Sequence, residues 1–136
     1  MKNVAKSFLV LTVIAICAVA VQAQTSQLLK ADVPFSFSIG DQQLSSGHYV
    51  ISSMTDRFIS VQDSNGGQTA IAMTIRKESP LRSVEPKLVF HRYGDQYVLA
   101  EIWADSGREL PKSAREKELA KAQKAEVLAV MLRPAR

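Results

Sequence analysis

The chain has 136 residues, with 17 Lys and Arg against 13 Asp and Glu, and a net charge of +4 at pH 7. A chain of this length suffices for one hydrophobic core and does not require a second domain. Cys17 is the only cysteine. Disulfides, thiol catalysis and cysteine metal ligands are therefore excluded from residues 24–136.

The N-terminus has the pattern of a secretory signal peptide. Lys2 and Lys6 precede an apolar run over residues 8–21, and the small residue Ala23 follows it. The run is shorter than the ~20 residues that a membrane-spanning helix needs. We therefore expect cleavage between Ala23 and Gln24, no membrane span afterwards, and a periplasmic or extracellular protein. A retained anchor helix is the alternative.

After cleavage, the positive charge belongs to the C-terminal end of the chain. Residues 24–106 carry seven basic and nine acidic side chains, whereas residues 107–136 carry eight basic and four acidic ones. Such an end suits an envelope polymer, an anionic surface or a protein partner. We favour the alternative of a solvated helix face, because its Glu and Lys or Arg residues are interleaved. Nucleic acid is not expected as a partner of an exported protein.

Residues 33–77 have the pattern of four short strands. The first, over 33–39, alternates strictly, with Val33, Phe35, Phe37 and Ile39 on one face. Pro34 lacks an N–H, which places it at the start of a strand or at a sheet edge. Turn-rich segments separate further strands over 48–54, 57–62 and 68–77.

The central feature is a predicted hairpin. Residues 87–93 and 97–103 are β-favouring, and the Gly94-Asp95-Gln96 segment between them is a hairpin signal. A two-residue loop places Arg92 opposite Tyr97, Phe90 opposite Leu99 and Leu88 opposite Glu101, and a three-residue loop shifts the register by one. Both faces are apolar and need cover, for which the C-terminal helix is a candidate. One face of the hairpin carries Leu88, Phe90, Leu99 and Trp103, and the other carries Val89, Val98 and Ile102.

Two blocks of the chain resemble a family of small, exported, uncharacterised bacterial proteins. One is PKLVFHRYGDQYVLAEIW followed by GRELPKSAREKELA, and the other is ADVPFSFSIGDQQLSSGHYV. The family usually has Leu-Pro-Ala-Gly where this chain has Leu44-Ser45-Ser46-Gly47. The Ser45 of this chain stiffens the turn less than the proline of the family does. The resemblance covers most of residues 24–136. It implies architecture and export, with no established activity.

The C-terminal part begins with a predicted helix. Ser113 and Glu116 have capping-box spacing, in which each side chain accepts a hydrogen bond from the backbone N–H of the other. We expect the helix to span residues 114–124. Residues 126–132 either extend it or form a final strand that pairs back into the sheet. We favour the strand because of Val127, Val130 and the family pattern.

Together these elements predict a mainly β protein. The expected fold is an antiparallel β-sandwich or small barrel of about six to seven strands with one C-terminal α-helix. We divide the chain into a signal peptide at 1–23, an antiparallel β domain at 24–106, and a basic helix with a possible final strand at 107–136, packed on the β domain.

The sequence contains no catalytic constellation. His48 and His91 are the only histidines, and His91 with Glu101 is the candidate pair for a hydrolase or a metal site. Its spacing does not require either chemistry. No Gly-x-Ser-x-Gly or His-Glu-x-x-His pattern occurs. We therefore predict no catalytic residue, metal ligand or cofactor, and favour a protein that is not an enzyme.

One group of side chains is a candidate binding surface. Arg92, Tyr93, Tyr97 and Trp103 lie on the predicted hairpin, where their planar groups could stack on sugars or other ligands. We favour the alternative, in which these residues pack in the core and Arg92 contacts Tyr97 across the strands.

The functional hypothesis is an exported, non-catalytic structural or binding module of the cell envelope. The first alternative is a periplasmic binder of small molecules or lipids, with the ligand between the sheet and the helix. It requires a pocket of roughly 300 Å³ or more. The second alternative is a hydrolase or metal site that uses His91 and Glu101.

Overall fold

The computed structural model describes residues 28–135, which form β-strands and one helix. The predicted signal peptide and its cleavage site at Ala23 and Gln24 lie outside the described residues. In chain order the elements are β1 (Leu28–Val33), β2 (Phe37–Ile39), β3 (Gln42–Leu44), β4 (Gly47–Ser53), β5 (Phe58–Asp63), β6 (Thr69–Met73), β7 (Ile75–Lys77), β8 (Lys87–Tyr93), β9 (Gln96–Trp103), β10 (Gly107–Glu109), α1 (Ala114–Ala122) and β11 (Glu126–Pro134).

The strands form one nearly closed, barrel-like sheet. Its order is β3-β2-β9-β8-β11-β1-β4-β5-β6, while β10 pairs with both β9 and β7. The neighbouring strands are antiparallel except β2 and β9, which meet in parallel at Ser38 and Val98. At the seam between the two edge strands, the Gln42 side chain donates a hydrogen bond to the Thr69 carbonyl at 3.0 Å. The mainly β class with one helix is thus confirmed.

The predicted count of six to seven strands is wrong, because the described residues contain eleven. The first predicted strand, over 33–39, is only partly formed: β1 lies almost wholly before it and ends at Val33, Pro34 follows, and only Phe37–Ile39 forms β2. Buried Thr74 divides β6 from β7, and its N–H and hydroxyl both donate to the Arg57 carbonyl, at 2.6 and 3.2 Å. Two short strands, β3 and β10, lie in segments that the sequence suggested were turns or connections.

The hairpin of β8 and β9 has the two-residue loop Gly94-Asp95. Gly94 has a φ of 62°, a conformation that glycine adopts without steric strain. Arg92 pairs with Tyr97 and Phe90 with Leu99, which is the register expected for the shorter loop.

A β-bulge at Ala100 changes which side chains of β9 face the barrel interior. Phe90 pairs with Leu99 but Val89 pairs with Glu101, so Ala100 has no partner on β8. The side chains of residues 101–103 therefore lie on the opposite faces from those that regular alternation would give. The predicted pairing of Leu88 with Glu101 is therefore wrong, because Leu88 faces Ile102. The predicted faces of Ile102 and Trp103 are also wrong, because each side chain lies on the face expected for the other. The interior carries Leu88, Phe90, Leu99 and Ile102, whereas Val89, Val98 and Trp103 lie on the outer face.

The barrel interior holds the main hydrophobic core. At its centre Phe90 makes edge-to-face contacts with Phe35 and Phe37, with ring centroids 5.0 and 5.3 Å apart. Phe37 makes a similar contact with Tyr49 at 5.3 Å. These aromatic rings join β2, β4 and β8 with the connection between β1 and β2, so the core depends on contacts between residues distant in the chain.

The C-terminal segment is part of the sheet. The preferred interpretation of residues 126–132 as a strand is confirmed, since β11 lies between β8 and β1 and pairs with both. The helix α1 ends two residues earlier than expected. Within residues 28–135, no helix combines the length and apolar character that crossing a membrane takes.

Candidate binding site at the barrel mouth

One end of the barrel opens into a cavity of about 370 Å³, which we call the mouth. Its floor consists of buried apolar side chains from four strands: Leu29, Ile51, Ile59 and Ile102. Its rim is more polar and comprises Ser53, Ala104, Asp105, Ser106 and Arg108. The mouth therefore combines an apolar interior with hydrogen-bonding groups at its opening.

The strand registers explain this floor. Leu29 and Ile51 are directly opposed on β1 and β4, so both side chains leave the same face of the sheet. Ile102 reaches the floor because of the bulge at Ala100. Without that bulge, the regular alternation of β9 would direct the larger Trp103 side chain inward. The bulge thus keeps the mouth open while it places Trp103 on the outer face.

Arg108 anchors the rim. Its guanidinium donates hydrogen bonds to the carbonyls of Thr55 and Asp56 at 3.2 and 2.9 Å, and to the hydroxyls of Thr74 and Ser53 at 3.3 and 2.8 Å. Every one of these acceptors is electrically neutral. Arg108 thereby ties β10 to the turn between β4 and β5. It also brings a positive charge to the rim of the mouth, and no carboxylate of residues 28–135 forms an ion pair with it.

A second polar cluster lies on the outer face, beneath α1. Glu116 is only 3% exposed, and its carboxylate accepts a hydrogen bond from the Tyr93 hydroxyl at 3.0 Å. His91 Nδ1 lies 3.2 Å from the same carboxylate oxygen. Burial, together with the hydrogen bond to Glu116, raises the pKa of Tyr93 to about 12. These contacts fix the helix to the sheet.

The predicted capping box is only half formed. The Glu116 N–H donates to the Ser113 hydroxyl at 3.1 Å, as expected of an N-cap. The reciprocal bond from the Ser113 N–H to Glu116 is not made, because the Glu116 carboxylate turns towards Tyr93 and His91. The side chain expected to close the cap is instead the contact that docks the helix.

Replacing Glu116 by Ala is expected to lower the free energy of unfolding by about 1–3 kcal/mol, because the buried Tyr93 hydroxyl then loses its acceptor. Urea denaturation of the two proteins measures the difference. Glu118→Ala is the matched control, since Glu118 is exposed and, within residues 28–135, pairs only with Lys121 on the helix surface. A change at Glu118 as large as that at Glu116 would contradict this docking role.

The His91 and Glu101 side chains lie on the same outer face, since Glu101 is opposite Val89 and His91 follows Val89 by two residues. The two side chains do not bond to each other, because each contacts a different partner. Glu101 is bonded to Lys77 and accepts from Trp103 Nε1 at 2.8 Å. Burial, the largest influence, raises the pKa of Glu101, but these hydrogen bonds and the Lys77 charge outweigh it and lower the pKa overall. His91 contacts Glu116.

The described part of the chain contains no group of three or more His, Cys, Asp or Glu side chains placed to hold a metal ion. The other histidine, His48, is exposed and bonds to Asp32, which also pairs with Arg133. The hydrogen bond from His48 is the largest influence on Asp32, and together with the Arg133 charge it lowers the pKa of that carboxyl. This cluster has the character of a surface ion-pair group.

The four residues of the predicted stacking surface do not share one face. Arg92 and Tyr97 are directly opposed, with the Arg92 guanidinium carbon 5.5 Å from the Tyr97 ring centroid. Tyr97 also stacks on Phe35, with centroids 4.0 Å apart. Tyr93 and Trp103 lie on the outer face and are 2% and 9% exposed. The structure therefore shows the cross-strand Arg–Tyr contact and places the other two aromatic rings in packed positions.

Sequence reasoning did not find the residues of the mouth. Leu29, Ile51 and Ile102 belong to ordinary apolar strand patterns, and Arg108 lies in a segment that suggested only a connection. Their juxtaposition comes from pairing between strands far apart in the chain, for which no local spacing is a signal. Comparison of the chain with protein-family models, curated proteins and solved structures gives no match.

Proposed function

We propose that the protein is an exported, non-catalytic binding module that holds a small apolar or amphipathic ligand in the mouth of its barrel. The observation that carries this proposal is the mouth itself, a cavity of about 370 Å³ with an apolar floor and a polar rim. Small-molecule sites typically measure ~300–1,000 Å³, combine these two features and occur in the mouths of β-barrels.

The position of the mouth modifies the hypothesis of a ligand between the sheet and the helix. The contact of α1 with the sheet is occupied by Glu116 and Tyr93, whereas the mouth lies inside the barrel. A ligand that enters the barrel end would contact Ile51, Ile59 and Ile102 with its apolar part. Its polar part would remain at the rim, where water is available.

Binding without catalysis is favoured by where the chemically versatile side chains lie. His91 and Glu101 are on the outer face of β8 and β9, opposite the face that forms the mouth floor. The rim offers hydroxyls, one carboxylate and one guanidinium, which suit recognition of a headgroup. Export is part of the proposal and is supported by the signal-like N-terminus.

A neutral fluorescent probe, N-phenyl-naphthylamine, tests the mouth. We expect saturable binding by the purified protein, with a rise in fluorescence as the probe leaves water. Ala104→Phe places a bulky side chain at the half-buried rim and should weaken probe binding at least about tenfold, which corresponds to ~1.4 kcal/mol.

Ala129→Phe is the matched control, because Ala129 is exposed on the outer face of β11, opposite Val89. Circular dichroism establishes that both variants fold. Equal loss of binding in the two variants, or no saturable binding by the unmodified protein, would contradict the proposal.

A further inference from the structure

Two arginines lie side by side next to the mouth, and one of them, Arg108, also belongs to its rim. Arg76 on β7 and Arg108 on β10 are directly opposed in register, so their side chains leave the same face of the sheet. Both line a cleft of about 120 Å³ that adjoins the mouth and shares Ser106 and Arg108 with it. Like charges directly opposite each other destabilise a sheet, so this pair lowers the stability of the free protein.

Neither arginine has a carboxylate partner within residues 28–135. Asp56 lines the cleft and Asp105 lines the mouth, yet neither forms an ion pair with the two guanidinium groups. The bonds of Arg108 to neutral oxygens account for its structural role, but Arg76 is exposed and makes no side-chain hydrogen bond to this part of the chain. Its charge is thus available to a ligand.

We propose that the ligand of the mouth is a single-chain amphiphile with a carboxylate headgroup, bound by Arg76 and Arg108, and that its alkyl chain lies on the apolar floor. This inference rests on the proposed function and adds the chemical class of the ligand. A guanidinium presents a planar set of N–H donors that matches a carboxylate, and its charge persists at all accessible pH values. The small cleft suits a flat headgroup next to the wider mouth.

The geometry assigns separate roles to the two parts of the site. Ile51, Ile59 and Ile102 offer an apolar surface but no means of selecting a headgroup. The arginine pair provides that selection, because an anion between the two guanidinium groups removes their mutual repulsion. Binding of a carboxylate is therefore expected to be stronger than binding of a neutral amphiphile with the same chain.

Competition against N-phenyl-naphthylamine tests the headgroup. Dodecanoate is expected to displace the probe at a concentration about tenfold lower than dodecanol, because a charged hydrogen-bonding group adds to the same apolar contact. Dodecyl phosphate should compete less well than dodecanoate, since its headgroup is bulkier. The advantage of dodecanoate should decrease at high salt, which screens exposed charges.

Arg76→Gln is the decisive variant, because it removes a charge without breaking any side-chain hydrogen bond within residues 28–135 and relieves the repulsion with Arg108. We expect it to abolish the preference for dodecanoate and to raise the melting temperature of the free protein. Arg115→Gln is the control on α1, because Arg115 is exposed and its side chain bonds only to Gln96 among the described residues. It should leave the preference unchanged.

The outcomes separate the two proposals. If the probe fails to bind the unmodified protein, the mouth itself is not a ligand site. If the probe binds and dodecanol competes as well as dodecanoate, the proposal of a ligand site in the mouth stands. The proposal of a carboxylate headgroup is then overturned. Stronger competition by dodecyl phosphate than by dodecanoate also overturns the proposal of a carboxylate headgroup. An unchanged preference in Arg76→Gln overturns the role of the arginine pair.

Discussion

Replacing Phe90 by Ala is expected to lower the free energy of unfolding by about 3–5 kcal/mol. Phe90 is 0% exposed and contacts the rings of Phe35 and Phe37 inside the barrel. The substitution removes these contacts and leaves a cavity that rigid neighbouring strands cannot fill. Since small proteins are stable by about 5–15 kcal/mol, the substitution would remove a large fraction of the stability.

Urea denaturation followed by tryptophan fluorescence measures this effect, because Trp103 lies on the next strand. Phe58→Ala is the matched control, since Phe58 is 42% exposed on β5. The decrease in the free energy of unfolding caused by Phe58→Ala should be much smaller. Comparable losses for the two substitutions would show that the aromatic cluster around Phe90 is not the centre of the core.

Replacing Gly107 by Ala is expected to destabilise the protein by about 3 kcal/mol or more, at the upper end of the range for overpacking. A Cβ at this position would overlap the Trp103 ring and lie 2.5 Å from the Lys77 carbonyl oxygen. The carbonyl belongs to the backbone of β7, so it cannot rotate away. Relief of the overlap requires β7 and β10 to separate, which would also displace Arg76 and Arg108.

Thermal unfolding and probe binding measure the two consequences of the Gly107 substitution. Gly47→Ala is the control, because a Cβ there meets only Tyr49 Cε2, at 3.9 Å, which is an ordinary contact. We expect Gly47→Ala to change stability by less than about 1 kcal/mol. If Gly107→Ala leaves both stability and probe binding intact, this result would contradict the close approach of β7 to β10 at Gly107.

The hairpin and the N-cap show what local sequence can predict. Gly94 identified the turn because a positive φ is a local requirement that glycine meets. Ser113 identified the start of α1 because an N-cap bond spans only three residues. In both cases the physical cause and its consequence lie within a few residues of each other.

The bulge at Ala100 and the side chain of Glu116 show where local sequence was insufficient. The alternation of β9 is compatible with either face, since both faces of the hairpin are apolar and both are covered. Only the packing of the whole barrel directs Ile102 inward and Trp103 outward. Glu116 satisfied a local cap pattern, but in the folded protein its carboxylate accepts a hydrogen bond from the Tyr93 hydroxyl on a distant strand.

The candidate site was not predictable from the sequence, for the same reason. Arg76 was assigned to a strand and Arg108 to a connection, and nothing in their spacing connects them. The pairing of β7 with β10 makes them neighbours. The floor likewise needs β1, β4, β5 and β9 to converge on one end of the barrel.

By itself, the sequence determined that this protein is mainly β, where most of its longer strands begin and end, how its central hairpin turns and where its helix starts. These features follow from backbone preferences and from the alternation of apolar side chains over short distances. Only the tertiary structure decided how many strands close the barrel, which face of β9 is inside, and which charges meet at the mouth. Those outcomes depend on competition among contacts between distant segments, and this competition is resolved only when the whole core is packed.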